Sequence, residues 1–174
     1  MPAVWIPGID DIFDIARPFG ISSEVESEIL TYSPAAVIAY YLINTLSNVE
    51  EPNASPTWPL YISSLPDGSN IENNAGCVYD TTGLLDGRIM RTGEVIEHHG
   101  IQIKIRAIAY QTGWQKIRET VAYLQKLLNE ALSMGGSHFV ILNMSRVSPI
   151  ACIGTDEKRR FLFTVNFLAT IREL

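Results

Sequence analysis

Between residues 100 and 110 apolar and polar side chains alternate: Ile101, Ile103, Ile105, Ala107 and Ala109 fall on one side of an extended chain, Gln102, Lys104 and Arg106 on the other. The segment 161–172 repeats the pattern, with Phe161, Phe163, Val165, Phe167, Ala169 and Ile171 set against Thr164, Asn166, Thr170 and Arg172. A period of two does not fit a helix, whose neighbours on one face recur every three to four residues. These two segments are therefore strands with one buried face each, and the polar face of the first is expected to meet solvent or a partner. Residues 138–146 read as a further strand. So do Trp58-Pro59-Leu60-Tyr61-Ile62 and the short Cys77-Val78-Tyr79.

Helices are expected where capping residues precede apolar runs. Ser33-Pro34 supplies an N-cap and first-turn pair for a helix reaching about Leu46, and Ser22 or Ser23 can cap a shorter one. Thr112-Gly113-Trp114-Gln115 fits a capping box, and Trp114, Ile117, Val121, Leu124, Leu128 and Leu132 continue at helical spacing until Gly135-Gly136 offers a C-cap. Leu65-Pro66-Asp67-Gly68 reads as a turn. The stretch carrying Gly83, Gly87 and Gly93 reads as a long extruded loop or hairpin. Residues 1–21 contain Pro2, Pro7, Gly8, Pro18 and Gly20 and are expected to form an extended arm with one short turn. Its Val4, Trp5, Ile6, Ile12, Phe13 and Ile15 should dock on the chain's own body or on a neighbouring subunit. The expected fold class is α+β: a mixed or antiparallel sheet of about five strands with helices packed on one face, in a single domain over 22–174 that follows the N-terminal extended arm.

Composition narrows the function classes. The chain has 174 residues, 47% hydrophobic and 18% charged, enough to fold on packing alone without disulfides or a structural metal. Thirteen basic against nineteen acidic residues give a net charge of −6, the wrong sign for a sequence-independent nucleic-acid binder. Cys77 and Cys152 are far apart and lack a CxxC partner, so both are expected to be buried free thiols in a reducing compartment. The start of the chain has neither a basic nor a long apolar region and is not expected to act as a secretory signal. The apolar run 34–43 is about half the ~20 residues of a bilayer span, so no membrane partner is expected.

The sequence is poor in catalytic parts. Asp80-Thr81-Thr82-Gly83 approaches the Asp-Thr-Gly of aspartic proteases, but an extra threonine displaces the glycine. A hydrolase using Asp80 and Asp86 is the remaining enzymatic alternative. Glu94, Glu97, His98 and His99 are metal-ligand types, yet adjacent histidines on extended chain point to opposite sides and fit surface positions better. His138 reads as an ordinary strand-edge residue. No phosphate-binding glycine motif is present, and no cofactor, metal or catalytic residue is expected. Lys158, Arg159 and Arg160, beside Asp156 and Glu157, read as a solvated hairpin tip that protects strand edges. The loop bearing Asp86, Arg88, Arg91 and Glu94 is best suited to subunit contact. Trp5 and the basic tip join it as candidate interface residues.

One series of short motifs is specific when taken together. Trp58-Pro59-Leu60-Tyr61, Leu65-Pro66-Asp67, Tyr79-Asp80-Thr81-Thr82-Gly83, Asp86-Gly87-Arg88, Arg91-Thr92-Gly93-Glu94 and His99-Gly100-Ile101-Gln102-Ile103 follow in order. Arg106, Tyr110, Gly113-Trp114-Gln115-Lys116 and the segment 163–167 continue it over about two-thirds of the chain. The series resembles the tail terminator proteins of long-tailed bacteriophages, also termed minor capsid proteins. The first thirty or so residues have no counterpart there. The resemblance implies a non-enzymatic virion protein, assembled in the host cytoplasm. Copies close into a ring, typically a hexamer, at the head-proximal end of the tail. Its implied partners are other copies of itself, tail tube protein and neck or connector proteins, with DNA only as passing cargo. A neck or head-completion adaptor that binds the connector is the alternative within virion assembly.

Overall fold

A computed structural model of the chain describes residues 30–46, 49–52, 57–68, 71–88 and 95–174, and of Arg88 and Val95 the backbone alone. The arm at 1–21 and the helix expected after Ser22 or Ser23 lie outside the described residues. The elements are α1 (Pro34–Thr45), β1 (Val49–Glu50), β2 (Trp58–Ile62), β3 (Ala75–Arg88), β4 (Val95–Ala107), α2 (Tyr110–Leu124), β5 (Leu128–Met134), β6 (Ser137–Arg146), β7 (Ala151–Thr155) and β8 (Phe161–Glu173). They build one eight-stranded mixed sheet ordered β1-β2-β3-β4-β8-β6-β5, with β7 also on β8, curled into a half-barrel. The β1–β2 and β2–β3 pairs are parallel and the others antiparallel.

The two alternating segments are the central strands. β4 and β8 pair from His99↔Ala169 to Ala107↔Phe161, so Ile101, Ile103, Ile105 and Ala107 share a face with Phe163, Val165, Phe167 and Ala169, and all eight are buried. Both helices lie on this face: Leu42 of α1 and Ile117, Val121 and Leu124 of α2 belong to the same core. The opposite edge of β8 is divided. β6 takes Phe167 to Glu173, and β7 takes Phe161 to Thr164. In the gap the Val147 amide donates to the Asn166 carbonyl at 2.9 Å, and the Asn166 amide donates to Ser148 Oγ at 2.8 Å. A side-chain oxygen thus completes a ladder that Pro149, next in the chain, has no N–H to continue.

α1 begins where its sequence predicts. Ser33 Oγ accepts from the Ala36 amide and Asp80 Oδ1 from the Ala35 amide, so a β3 carboxylate holds the helix N-terminus, where negative charge is favoured.

The second helix departs from expectation at both ends. It starts at Tyr110 with Ala109 at the N-cap and no side-chain capping bond, not at a box on Thr112. It stops at Leu124, and the residues expected to continue it form β5, with Leu128 exposed. Gly135-Gly136 is the two-residue turn of the β5–β6 hairpin, with φ +59° and +94°. A glycine pair meets the backbone demand of a helix C-cap and of this turn equally well.

The sheet is also larger than the five or so strands expected. β1 has two residues, while β5 and β7 are edge strands whose side chains are mostly exposed, so none carries an alternating apolar signal. The glycine-rich stretch is a long β3–β4 hairpin with register shifts after Thr81 and Leu85. At the first shift Gly83 lies against the His98 carbonyl, and Gly100 against the Thr82 carbonyl and Thr81 Oγ1, with no room for a Cβ at either position. Gly100→Ala is expected to cost about 1–3 kcal/mol in urea denaturation, the usual range for forced overpacking. Gly87→Ala, where nothing lies within 4 Å of an added Cβ, should stay within about 0.5 kcal/mol.

Candidate assembly site

The β3–β4 hairpin runs past the end of the β4–β8 pairing, and its outer part carries apolar residues that the core does not use. Leu84 is 58% and Leu85 72% exposed, and Ile96 is also exposed. Two successive leucines on a strand point to opposite faces, so the pair at 84 and 85 could not both have entered one core. That signal was present in the sequence among the glycines and was missed. His98 anchors this outer part: Nδ1 lies 2.7 Å from Thr170 Oγ1 on β8, and Nε2 lies 2.9 Å from Asp86 Oδ2 on β3. One imidazole therefore ties both strands of the hairpin to the central strand. With Asp86 receiving the Nε2 proton, Nδ1 accepts from the Thr170 hydroxyl.

Of the residues expected here, Asp86 is exposed and paired with His98. Arg88 ends β3 opposite Val95, and its side chain lies outside what is described. Trp5, Arg91 and Glu94 also lie outside the described residues. Glu97 pairs with His99 Nδ1 at 3.5 Å, whereas His98 turns to Asp86, so the adjacent histidines do not converge. Burial holds the His99 imidazole below its ordinary value against the pull of Glu97 and Asp80. Among the described residues no cluster of three or more metal-ligand side chains occurs. Asp80 is engaged on α1, and His138 Nδ1 lies 2.8 Å from Ser133 Oγ across the β5–β6 hairpin. Cys77 is buried and its thiol is pushed up by burial, while Cys152 is exposed on β7, contrary to the expectation that both are buried. No described helix is long and apolar enough to cross a membrane.

The basic tip lies at the opposite end of β8 from the β3–β4 hairpin, so the sequence-selected residues form two separate sites. The strand between them measures roughly 40 Å at about 3.3 Å per residue. The tip is also not uniformly solvated. Lys158 and Arg159 are exposed, but Arg160 is 1% exposed inside its own chain, which corrects its place on the surface. Arg160 Nη2 donates to Asp67, its Nε donates to Asp156 Oδ2 at 2.7 Å, and Lys158 Nζ binds Asp67 Oδ1 and the Gly68 carbonyl at 3.0 Å each.

The parallel pairing of β2 and β3 explains this burial. It requires a crossover, whose described residues 63–68 and 71–74 lie toward the face opposite the helices. Arg106 lies on that face and is 2% exposed, covered by its own chain where the alternation suggested solvent or a partner. Its Nη1 donates to the Pro66 carbonyl at 2.7 Å and its Nη2 to the Glu72 carbonyl at 3.0 Å. Arg106, Lys158 and Arg160 thus strap the crossover to the sheet, and Leu65-Pro66-Asp67-Gly68 is part of that strap and not a turn. Alternation assigns Arg106 to a face but carries no information about what crosses it.

No protein-family model and no curated protein matches the chain.

The strap predicts acid sensitivity. Hydrogen bonds from Lys158 and then Arg160 hold the Asp67 carboxyl below its ordinary 3.8. Burial acts to raise Asp156, but its bonds to the Arg160 backbone and side chain outweigh that and lower it as well. The unfolded chain therefore binds these protons at higher pH than the folded one. The stabilisation is complete above the unfolded value and is lost as pH falls below about 3.8 through the lower folded values. Denaturation midpoints of wild type should drop over that window, and Asp67→Asn should be less stable at pH 7 with a shallower acid decline.

Proposed function

We propose that the chain is a structural subunit that closes into a homo-oligomeric ring, hexameric by its resemblance to tail terminators, at the head-proximal end of a phage tail tube. In this reading it is a virion protein without catalytic activity. It stops tube growth on one side and joins neck proteins on the other, while DNA passes through. The observation that carries the reading is the outer β3–β4 hairpin: apolar side chains held clear of the chain's own core, with His98 fixing their direction. Exposed leucines on a positioned arm favour burial against another protein, worth about 1.5–3 kcal/mol for each side chain fully covered.

Two further features support it. β5 and β7 offer outer edges on which another chain could continue the sheet. The hairpin and the basic tip lie at opposite ends of the central strand, as needed when unlike patches of neighbouring copies must meet around a closed ring. A net charge of −6 suits a ring through which DNA passes without adhering.

Light scattering on size-fractionated protein tests the reading. Wild type is expected to form a closed oligomer of defined mass, alone or on addition of tube protein. Leu85→Asp should remain folded and weaken each subunit contact at least about tenfold, equivalent to about 1.4 kcal/mol. Arg88→Glu with Arg91→Glu should act in the same direction. A folded Leu85→Asp that assembles like wild type would remove the hairpin from the interface.

A further inference from the structure

The negative charge of this protein is not spread evenly along it. In residues 1–29 six acidic residues against one basic give −5, out of −6 for the whole chain, so residues 30–174 are close to neutral. The same segment interleaves apolar residues such as Trp5, Ile12 and Phe13 with Asp10, Asp11 and Asp14. Its point of departure from the described body is fixed. Glu173 at the end of β8 accepts from the Thr31 amide at 2.7 Å and from the Thr31 hydroxyl at 2.8 Å, and the Tyr32 ring meets Phe139 of β6 edge-on. The segment therefore starts on the side of β8 that β6 and β7 share.

β7, on that side, is bare. All five of its residues are exposed, Ile153 at 53%, and among the described residues no strand pairs with its outer edge. Cys152 stands opposite Phe163, and the half-exposed Tyr110 packs edge-on to the same Phe163, so an apolar strip runs from the core out to the sheet edge. Positive charge collects beside it. Between residues 144 and 160 Arg146, Lys158 and Arg159 are exposed against one exposed acid, Glu157. Arg146 precedes β7 and Arg159 follows it, and among the described residues neither side chain has a hydrogen-bond or ion-pair partner. An apolar edge with unpaired cations at both ends complements an acidic, apolar segment, and a free edge of this kind pairs with other chains unless it is covered.

We propose that residues 1–15 of the same polypeptide lie along β7 and cover its outer edge, with apolar side chains over Cys152 and Ile153 and carboxylates beside Arg146 and Arg159. The tether reaches. Thr164, opposite Ala151, is nine residues along β8 from Glu173, roughly 30 Å, and residues 16–29 span up to roughly 45 Å when extended. Attachment to the same chain supplies an effective concentration on the order of millimolar, which favours this segment over that of a second copy. The proposal stands apart from the ring reading, because it concerns one isolated subunit.

The rate at which iodoacetamide alkylates Cys152 in the full chain tests it, with Cys152→Ser giving the background from Cys77. Trp5→Asp combined with Phe13→Asp is expected to speed the reaction at least about tenfold. Arg146→Gln combined with Arg159→Gln should speed it about twofold to fivefold. Circular dichroism should show both variants folded like wild type, and wild-type protection should persist through about hundredfold dilution. A wild-type rate equal to that of the folded Trp5→Asp, Phe13→Asp variant overturns the proposal. So does protection that disappears on dilution, which would place a second copy on the edge.

Discussion

β8 is the strand on which the rest of the structure depends, because both of its edges are paired along most of their length. One edge pairs with β4 over nine consecutive positions, and the other is shared end to end by β7 and β6. A strand with both edges paired and one face under two helices can shift register only by moving its whole apolar set out of the core. The join between β6 and β7 is where this arrangement could have failed, since the four residues 147–150 oppose only two. Ser148 prevents that by supplying the acceptor for the Asn166 amide. With β8 fixed, the Thr170 hydroxyl becomes a rigid anchor for His98, and the direction of the β3–β4 hairpin follows from it.

The second constraint is the crossover required by parallel β2 and β3. It covers part of the face opposite the helices, and a polar face that would otherwise be wet becomes partly interior. Charged groups there are retained because they bind backbone carbonyls and carboxylates of the crossover itself, which satisfies most of their donors. The sheet thus has an apolar core on one face and a charged clamp on the other. The clamp lies at the opposite end of β8 from the hairpin.

How much of this could be read in the amino-acid order depended on whether a residue's neighbours are local. Alternation located β8 almost to the residue and β4 in its inner part, 100–107, though β4 begins at Val95 and ends three residues before Tyr110. Ser33-Pro34 located the start of α1. Both signals were legible because strand period and helix caps are set by adjacent chain. The α2 helix and Gly135-Gly136 were misread because apolar spacing ran on through Leu128 and Leu132, and a glycine pair serves either a helix end or a hairpin. Arg106 and Arg160 read as surface charges because their partners, Pro66, Glu72, Asp67 and Asp156, are brought in by tertiary pairing, mostly from distant chain. The interface candidates were chosen by local polarity. That choice identified the hairpin at Asp86 but passed over Leu84 and Leu85, and it combined two sites that the sheet holds apart.

The functional reading joins a resemblance in sequence to an arm built for contact, and it attributes the activity to shape alone. Electron microscopy of tails assembled without this protein tests that claim most directly. The account predicts tubes of unregulated length with unattached head-proximal ends. Tubes of normal length, correctly joined to filled heads, would contradict it.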